Sequence, residues 1–448
     1  MNYLIDAPPP TISGLLHMGH VFSYCHMDFI ARFQGKNKKL LYASCFDCNG
    51  LPTEKLAQKA RREDIIPFAE ETWQDYKNLF DSLKMSWSNH HFHTFDQDAI
   101  IIANLSFEDL KNKKLAYKAE RDFYFCPITN VSVSQAEIDE NGCYERSGAK
   151  VELRRGEGWF IDIMNHLPRI REAIDQINWK PDFFRERLHS WLDDLKFDWS
   201  ISRERNFGIP IPGEEKGIVF DTWFTSSLTP QLAWAKHEGI PSLQCPIFDA
   251  RFQGHDIIRT WALFTIIKSL YHNDQIPWKN IIISGHALDK NGKKISKSAN
   301  NFIPPSEYLD KYGAYGVRYW TALNQIGTDT RSDTQIMDKG KKLINKLKNA
   351  GRFLDMKDTS GYFADMLTPW EQEWQEVDNK FESLMLDYNW PDAIHLLTDF
   401  FWHRFCDVFI EESKAKNDDF YFKALKNIYA QILNRYDIFF PYLTNPQS

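Results

Sequence analysis

Two histidines and two glycines lie close together near the start of the chain, within the segment Ala7–His20. His17 and His20 are three residues apart, which places them on one face of a helix's first turns, where they could donate hydrogen bonds to a phosphate. Gly14 and Gly19 would let a ligand approach the backbone closely. The start of a helix attracts anions through its N–H groups and its dipole, so the segment predicts a phosphate site. The alternative is that the histidines only fill a partly buried helix face.

A second candidate segment, Asp289–Asn301, carries four lysines within eight residues. Lysines interspersed with serines and few apolar residues are suited to binding a polyphosphate. The alternative is a solvated loop. The two segments support each other, because a phosphate-binding turn and a lysine-rich loop on one α/β sheet together indicate nucleotide chemistry.

The elements that must position these segments alternate along the chain. The sequence predicts a strand over Asn2–Ala7, a helix over Leu15–Phe33, a strand over Leu40–Cys45 and another helix from Leu51 onward. This order is typical of the beginning of a doubly wound α/β domain. Later in the chain, Ile281–Ile283 predicts a buried strand of the same parallel sheet.

Two further regions differ from this pattern. Short alternating pieces with turn signals predict a small β-rich insertion over Tyr117–Asp162. Apolar residues at helical spacing predict an α-helical bundle over Gly340–Ser448. The predicted fold class is therefore α/β, with a doubly wound parallel sheet, a β-rich insertion and a C-terminal helical bundle.

Composition excludes several classes of protein. Hydrophobic residues make up 43% and aromatic residues 15% of the chain, which argues for sizeable cores and against a disordered chain. No apolar run reaches the ~18 residues of a membrane span, and the start lacks the pattern of a secretory signal. Seven cysteines, scattered and odd in number, fit reduced thiols. We therefore expect a cytoplasmic protein.

The net charge of −7 is not typical of a nucleic-acid binder, although a local cluster of positive charge matters more for such binding than the net charge of the chain. One cationic cluster has helical spacing. It comprises Lys339, Lys341, Lys342, Lys346, Lys348 and Arg352. Taken alone, such a cluster is most simply explained as a solvated helix face.

The two candidate segments resemble the paired signatures of a known family. His17–His20 and Lys294–Ser298 are similar to the HIGH and KMSKS motifs of class I aminoacyl-tRNA synthetases and occur in the same order. Further stretches resemble the valine, isoleucine and leucine branch of that family. They are Phe46–Glu54, Asp198–Arg205, Asp221–Ser227 and Gln253–Trp261, the last two being most similar to valyl-tRNA synthetases of the archaeal type.

The resemblance implies that the chain forms an aminoacyl-adenylate from ATP, with Mg²⁺, and a small branched amino acid such as valine. The catalytic residues would be His17 and His20, which stabilise the pentavalent phosphorus, and Lys294 and Lys297, which close over the leaving pyrophosphate. The further ATP contacts would be Gly19, Gly254, Asp256, Ile295 and Ser296.

The same resemblance implies where the amino acid and the tRNA bind. The amino-acid site would comprise Pro9, Asp47, Trp223, Ile257 and Trp261. Asp47 would hold the α-ammonium, and the last three would wall a small apolar pocket, although core packing alone is the alternative for the two tryptophans. Contacts with tRNA would come from Lys339, Lys341, Lys342, Lys346 and Arg352.

The resemblance also implies a domain order. Residues 1–116 and 166–305 would be the two halves of a Rossmann-type catalytic domain, and 117–165 the small insertion between them. Residues 306–339 would be a segment like the stem-contact region, and 340–448 an α-helical domain like those that bind anticodons.

The sequence departs from the family in two respects. The large editing insertion of the valine, isoleucine and leucine enzymes has no counterpart. Relatives bind zinc through paired Cys-x-x-Cys knuckles, whereas Cys126 and Cys143 each lack the second cysteine here. Two thiolates do not complete a tetrahedral site, so we expect no structural zinc and no other metal ligand set.

The acceptor of the activated amino acid stays open at this stage. The first hypothesis is transfer to tRNA, and the second is an enzyme that serves a carrier protein or a small metabolite. The third is a non-catalytic module that senses an amino acid or RNA. The missing editing segment favours the second hypothesis somewhat, whereas the intact histidines and lysines oppose the third. We expect a monomer whose partners are ATP, a small branched amino acid and tRNA, with no membrane contact.

Overall fold

The computed structural model describes residues 2–86, 91–145, 147–205, 207–289, 291–293, 295, 301–356, 367–416 and 418–443, with backbone only for residues 43 and 44. The chain divides into two compact units. The first comprises Met1–Leu15, Lys38–Tyr76 and Trp87–Ser284. The second comprises Leu16–Asn37, Lys77–Ser86 and Gly285–Ser448.

The strands are β1 (Asn2–Asp6), β2 (Lys39–Phe46), β3 (His91–His93), β4 (Ala116–Cys126), β5 (Val131–Val133), β6 (Cys143–Tyr144), β7 (Ala149–Lys150), β8 (Glu152–Ile161), β9 (Asn178–Lys180), β10 (Trp199–Ser200), β11 (Ser202–Glu204), β12 (Ile218–Phe220), β13 (Phe248–Gly254), β14 (Trp278–Ser284), β15 (Ala287–Leu288) and β16 (Thr330–Arg331). The α-helices are α1 (Met18–Gly35), α2 (Leu51–Lys59), α3 (Ile65–Ser82), α4 (Gln97–Asn112), α5 (Leu167–Asp175), α6 (Phe183–Asp193), α7 (Thr222–Ser226), α8 (Thr229–Glu238), α9 (Leu263–Asn273), α10 (Pro305–Ala322), α11 (Thr334–Asp355), α12 (Pro369–Leu386), α13 (Trp390–Asp399), α14 (Glu411–Lys416) and α15 (Asp419–Tyr436). Short 3₁₀ turns span Gln135–Glu137, Met164–His166 and His255–Ile257, and π-helical segments span Ile258–Ala262 and Phe400–Ile410.

The first unit is built on a six-stranded sheet in the order β3-β2-β1-β13-β14-β9, and every pair in it is parallel. Parallel neighbours need crossover connections, which helices supply in α/β proteins. The strand order reverses between β1 and β13. In β14 the run Ile281–Ile283 is buried on both faces, as its unbroken apolar sequence predicts. The prediction of a doubly wound parallel sheet is confirmed.

The predicted β-rich insertion is also present in the first unit. β4 and β8 form a long antiparallel ribbon with a register that runs from Ala116 opposite Ile161 to Phe125 opposite Glu152. β5 and β10 complete a four-stranded sheet around this ribbon. A small core of its own lies beyond the ribbon, formed by Cys126, Val131, Val133, Ile138, Tyr144 and Ala149.

The second unit is mainly helical, which confirms the predicted C-terminal helices. α11 shows why: its buried residues recur at helical spacing, and they are Met337, Gly340, Leu343, Ile344, Leu347, Ala350 and Leu354. A buried ion pair fixes α1 against α10, because Arg318 donates to Asp28 at 2.6 Å with neither side chain exposed. Arg32 donates to the same carboxylate at 2.9 Å. No helix among the described residues combines the length and the apolar character needed to cross a membrane.

Candidate functional site

Several predicted site residues lie at the carboxyl ends of neighbouring strands in the first unit. Pro9 follows β1, Asp47 directly follows β2, and Gly254 is the last residue of β13. β1 and β13 are the two strands between which the order of the sheet reverses. Ligands of open α/β sheets bind outside the carboxyl ends at this reversal. The topology therefore places these residues where such a ligand is expected.

The Asp47 carboxylate is buried, with 3% of the residue exposed. The hydroxyl of Thr222, at the start of α7, lies 3.0 and 3.1 Å from its two oxygens and 2.5 Å from the carbonyl of Asn49. The Thr94 hydroxyl donates to the same carboxylate at 3.4 Å, and neutral hydroxyls leave the net charge of the carboxylate in place. Such a carboxylate is suited to an ammonium group. Thr222 lies within the stretch Asp221–Ser227 that resembles the family, but nothing in the sequence relates it to Asp47.

The loop that follows Asp47 is held in place from both sides. The amide of Asn49 donates to the carbonyl of Thr94 at 2.7 Å, and the backbone N–H of Cys48 donates to the Thr94 hydroxyl at 3.0 Å. On the other side, Gly50 has a φ of 111°, and a Cβ there would lie 3.0 Å from the Cβ of Thr222. A glycine is therefore required at this position by both the backbone conformation and the close approach.

The three predicted pocket walls differ in burial. Trp223 and Ile257 are half-buried, whereas Trp261 is completely buried. The indole N–H of Trp261 donates to the carbonyl of Ser226 at 2.8 Å, and the guanidinium of Arg251 lies over its ring. Complete burial is also what core packing produces, so the role of Trp261 as a pocket wall stays a prediction.

The two predicted ribose contacts, Gly254 and Asp256, lie next to each other after β13. Asp256 is exposed, and a Cβ at position 254 would come within 2.6 Å of its carboxylate oxygen. The glycine therefore leaves room for the Asp256 carboxylate beside the end of β13, and a larger residue would require this exposed side chain to move. The ATP contact itself stays a prediction.

In the second unit, His17 is the N-cap of α1, one residue before the helix, and His20 occupies its first turn. The predicted helix from Leu15 thus begins only at Met18, because the His17 side chain accepts the N–H of Gly19 at 3.1 Å. His20 Nδ1 accepts the N–H of His17 at 3.2 Å. When Nδ1 accepts, a neutral imidazole carries its proton on Nε2. Both rings, whose centroids are 3.9 Å apart, are therefore set as Nε2–H donors.

Gly19 is as closely fitted as the histidines. A Cβ at this position would lie 2.9 Å from the His17 ring. Any other residue would displace the imidazole from its capping position, which explains the glycine between the two histidines.

Most of the predicted lysine loop, including Lys294, Ser296 and Lys297, lies outside the described residues. Ile295 is buried and lines a cavity of about 560 Å³ in the second unit. The two ends of the loop are joined, because the amide of Asn301 donates to Asp289 at 2.9 Å. The other oxygen of Asp289 accepts the backbone N–H groups of Asn291 and Lys293 at 2.8 and 2.9 Å.

The predicted tRNA-contacting residues all lie on α11. Lys339, Lys341, Lys342 and Arg352 are exposed on the face opposite its buried stripe. Lys346 is half-buried, with its ammonium over the ring of Trp402 at 4.2 Å. The helix therefore carries an exposed cationic face, although Lys346 packs within its own unit.

The two cysteines of the insertion show no metal site. Burial raises the pKa of Cys126, but hydrogen bonding, chiefly with the Ser147 hydroxyl at 3.5 Å, outweighs this effect and holds the pKa below its ordinary value. Within the described part of the chain, no group of three or more His, Cys, Asp or Glu residues could hold a metal ion. The expectation of no structural zinc stays a prediction.

A serine–histidine–aspartate arrangement with the distances of a catalytic triad lies elsewhere in the first unit. Ser106 Oγ is 2.9 Å from His272 Nε2, and His272 Nδ1 is 2.7 Å from Asp109. Lys268 donates to the same serine at 2.6 Å. Ser106 is completely buried, so no substrate reaches its hydroxyl. We interpret the arrangement as a structural network between α4 and α9 and not as a hydrolytic site.

The fold is that of a doubly wound α/β protein, with predicted ligand-binding residues at the strand ends of its first unit. A family model described as tRNA synthetases class I (I, L, M and V) matches residues 1–213 and 214–333. The chain therefore belongs to the class I tRNA synthetases of this group, a family of ligases.

Individual proteins agree with this assignment. The chain is 26% identical to the valine--tRNA ligase of Rickettsia typhi (strain ATCC VR-144 / Wilmington), covering 97% of this chain and 81% of the relative. It is 26% identical to the valine--tRNA ligase of Ehrlichia canis (strain Jake), covering 93% and 77%. The first alignment runs over 667 residues, whereas this chain has 448, so the relative carries internal segments with no counterpart here.

Solved structures share the fold. A leucyl-tRNA synthetase, LeuRS of the Agrobacterium radiobacter K84 agnB2 ternary complex with tRNA and LeuAMS, superposes with a TM-score of 0.84 at 16% identity, covering 99% of this chain and 84% of that one. The methionyl-tRNA synthetase of Mycobacterium tuberculosis bound by methionyl-adenylate gives a TM-score of 0.80 at 18% identity, covering 99% and 93%.

Proposed function

We propose that the chain activates a small branched amino acid, valine, by forming its adenylate from ATP, and transfers it to tRNA. The observation that carries the proposal is the buried Asp47 carboxylate beside Thr222 at the strand ends of a class I synthetase fold. Its support comes from relatives that are valine--tRNA ligases and from structural neighbours that contain an aminoacyl-adenylate or its analogue.

In this proposal Asp47 binds the α-ammonium of the amino acid. The branched side chain lies against Trp223 and Ile257, with Trp261 behind them. An apolar pocket of two indoles and one aliphatic side chain favours a short branched group, because a longer one must overpack it.

The ATP phosphates would meet His17 and His20. The Nε2–H groups of both imidazoles can donate to the phosphate oxygens, whose charge grows as the carboxylate of the amino acid attacks the α-phosphorus and pyrophosphate leaves. Lys294 and Lys297 would neutralise the pyrophosphate. Mg²⁺ usually takes one or two carboxylates together with substrate phosphates, so the ion would be held mainly by the ATP phosphates, and no step here depends on protein ligands for it.

ATP–pyrophosphate exchange with each of the twenty amino acids tests the activation step. We expect valine to give the highest kcat/KM. His17→Asn and His20→Gln are matched variants, since asparagine and glutamine can still cap the helix start. Both lack the imidazole Nε2–H that would donate to the phosphate. They should lower kcat while leaving the thermal unfolding temperature nearly unchanged. No exchange with any amino acid by the wild-type protein would contradict the proposal.

The acceptor is tested separately by charging total tRNA. The exposed cationic face of α11 favours tRNA, and Lys339→Glu with Lys342→Glu should weaken charging while leaving pyrophosphate exchange intact. The relatives' internal segments that have no counterpart in this chain favour the second hypothesis, transfer to a carrier protein or a metabolite. Exchange activity without any charging of tRNA would support that second hypothesis.

A further inference from the structure

Two hydrogen bonds connect the small insertion with the two elements that carry the proposed pocket walls, and a third joins those two elements to each other. Glu137, in the turn Gln135–Glu137 of the insertion, accepts the indole N–H of Trp223 in α7 at 3.2 Å. Arg259, beside Ile257, donates to the carbonyl of Ile138 at 3.2 Å. The third bond, from Trp261 to Ser226, joins the π-helical segment back to α7. The insertion, α7 and the π-helical segment are thus each hydrogen-bonded to the other two, and the proposed pocket walls lie on the last two elements and the turn beside them.

Glu137 is itself rigidly placed. The residue is 6% exposed, and its second oxygen accepts the backbone N–H of Ser134 at 3.3 Å, while the Ser134 hydroxyl caps the same turn. The guanidinium of Arg203 lies 4.0 Å from this oxygen and 3.4 Å from Asp221, the residue that precedes α7. Burial raises the pKa of Asp221 against the opposing charge of Arg203. The Trp223 ring packs against the core of the first unit, and a carboxylate fixed in this way adds a directional contact that defines the orientation of its indole N–H.

We propose that Glu137 is a positioning residue that determines the size selectivity of the amino-acid pocket by holding Trp223 from the insertion. The inference rests on the proposed function, since it takes Trp223 as a wall of that pocket. Glu137 does not touch the amino acid. Its effect passes through the indole: without the acceptor, the ring can turn about its side-chain torsions and the pocket admits larger side chains.

The test compares Glu137→Ala, Glu137→Gln and Trp223→Phe with Glu140→Ala, an exposed glutamate of the same insertion, as the matched control. The readouts are KM and kcat for valine, isoleucine and ATP in pyrophosphate exchange. Glu137→Ala should raise the KM for valine roughly 3- to 10-fold, the usual effect of losing one hydrogen bond. The valine-over-isoleucine ratio of kcat/KM should fall by a similar factor, with the KM for ATP unchanged.

Glutamine keeps one oxygen that can accept the indole N–H but loses the second oxygen, which accepts the Ser134 N–H, so Glu137→Gln should fall between wild type and Glu137→Ala. Phenylalanine keeps a ring but has no N–H, so Trp223→Phe should reproduce the loss of selectivity, and adding Glu137→Ala to it should change little further. Trp223→Phe also keeps the test decisive if Glu137→Ala does not fold.

The outcomes separate this inference from the proposed function. A wild-type protein without exchange activity refutes the proposed function. An active wild type whose selectivity is the same in Glu137→Ala and Trp223→Phe refutes only the positioning role of Glu137. Equal losses in Glu137→Gln and Glu137→Ala would also overturn it, because the charge and not the acceptor would then matter.

Discussion

Replacing Asp47 by asparagine should weaken the binding of the amino acid far more than the binding of ATP. The carboxylate is 3% exposed, and the Thr222 hydroxyl supplies one proton to be shared among both carboxylate oxygens and the Asn49 carbonyl. The Thr94 hydroxyl also donates to this carboxylate, at 3.4 Å, but neutral hydroxyls do not cancel its net charge, which an α-ammonium could pair with. The amide removes that charge but keeps one oxygen that can accept a hydrogen bond.

The magnitude follows from this geometry. A hydrogen bond to a charged group contributes about 1.5–3 kcal/mol, and each 1.36 kcal/mol corresponds to about tenfold in a binding constant. Since one acceptor oxygen remains, we expect the lower half of that range, a rise of roughly 10- to 50-fold in the KM for valine. Thr222→Val, which deletes the hydroxyl and keeps the charge, should have a smaller effect.

Pyrophosphate exchange at saturating ATP gives the KM for valine, and exchange at saturating valine gives the KM for ATP. Asp75→Asn, an exposed aspartate on α3, is the matched control and should leave both constants at the wild-type level. The reasoning is refuted if the KM for ATP rises tenfold while that for valine stays constant, since Asp47 would then serve the nucleotide.

Three further outcomes are expected. Lys297→Ala should lower kcat for exchange on the order of 10²-fold and leave the KM for valine nearly unchanged, because a lysine on the pyrophosphate acts in the transition state; exchange within a few-fold of wild type would contradict that role. Threonine should be activated about 10²-fold less efficiently than valine, a figure established for valine enzymes of this family and not worked from this structure; discrimination above roughly 10⁴ in exchange would contradict the apolar pocket. Burial lowers the pKa of His272 to about 4, so the unfolded chain binds more protons between pH 4 and about 6.5 and the protein should lose stability as the pH falls through that window. In urea unfolding, His272→Gln should therefore lose about 1.5 kcal/mol less stability than wild type between pH 6.5 and pH 5, and equal losses would argue against this assignment.

The sequence alone determined the features that depend on local pattern. The unbroken apolar run Ile281–Ile283 predicts a strand buried on both faces, and the apolar residues of α11 predict its buried stripe, because in each case the periodicity of one element decides which side chains leave water. The two motif segments likewise indicated nucleotide chemistry, since residue types and spacing within a few positions were sufficient. These predictions required no knowledge of which distant residues meet.

Tertiary structure decided the contacts that make a site from those elements. Thr222 meets Asp47 across 175 positions of the chain, and Glu137 meets Trp223 across 86. Nothing in the sequence pairs this threonine or this glutamate with its partner, because a hydrogen bond between distant residues depends on strand order and on where each loop returns to the sheet. Even at short range, only the structure showed that His17 caps α1 through Nδ1, which leaves its proton on Nε2. Local pattern fixes which elements form, whereas the order and register of the strands fix which side chains face each other.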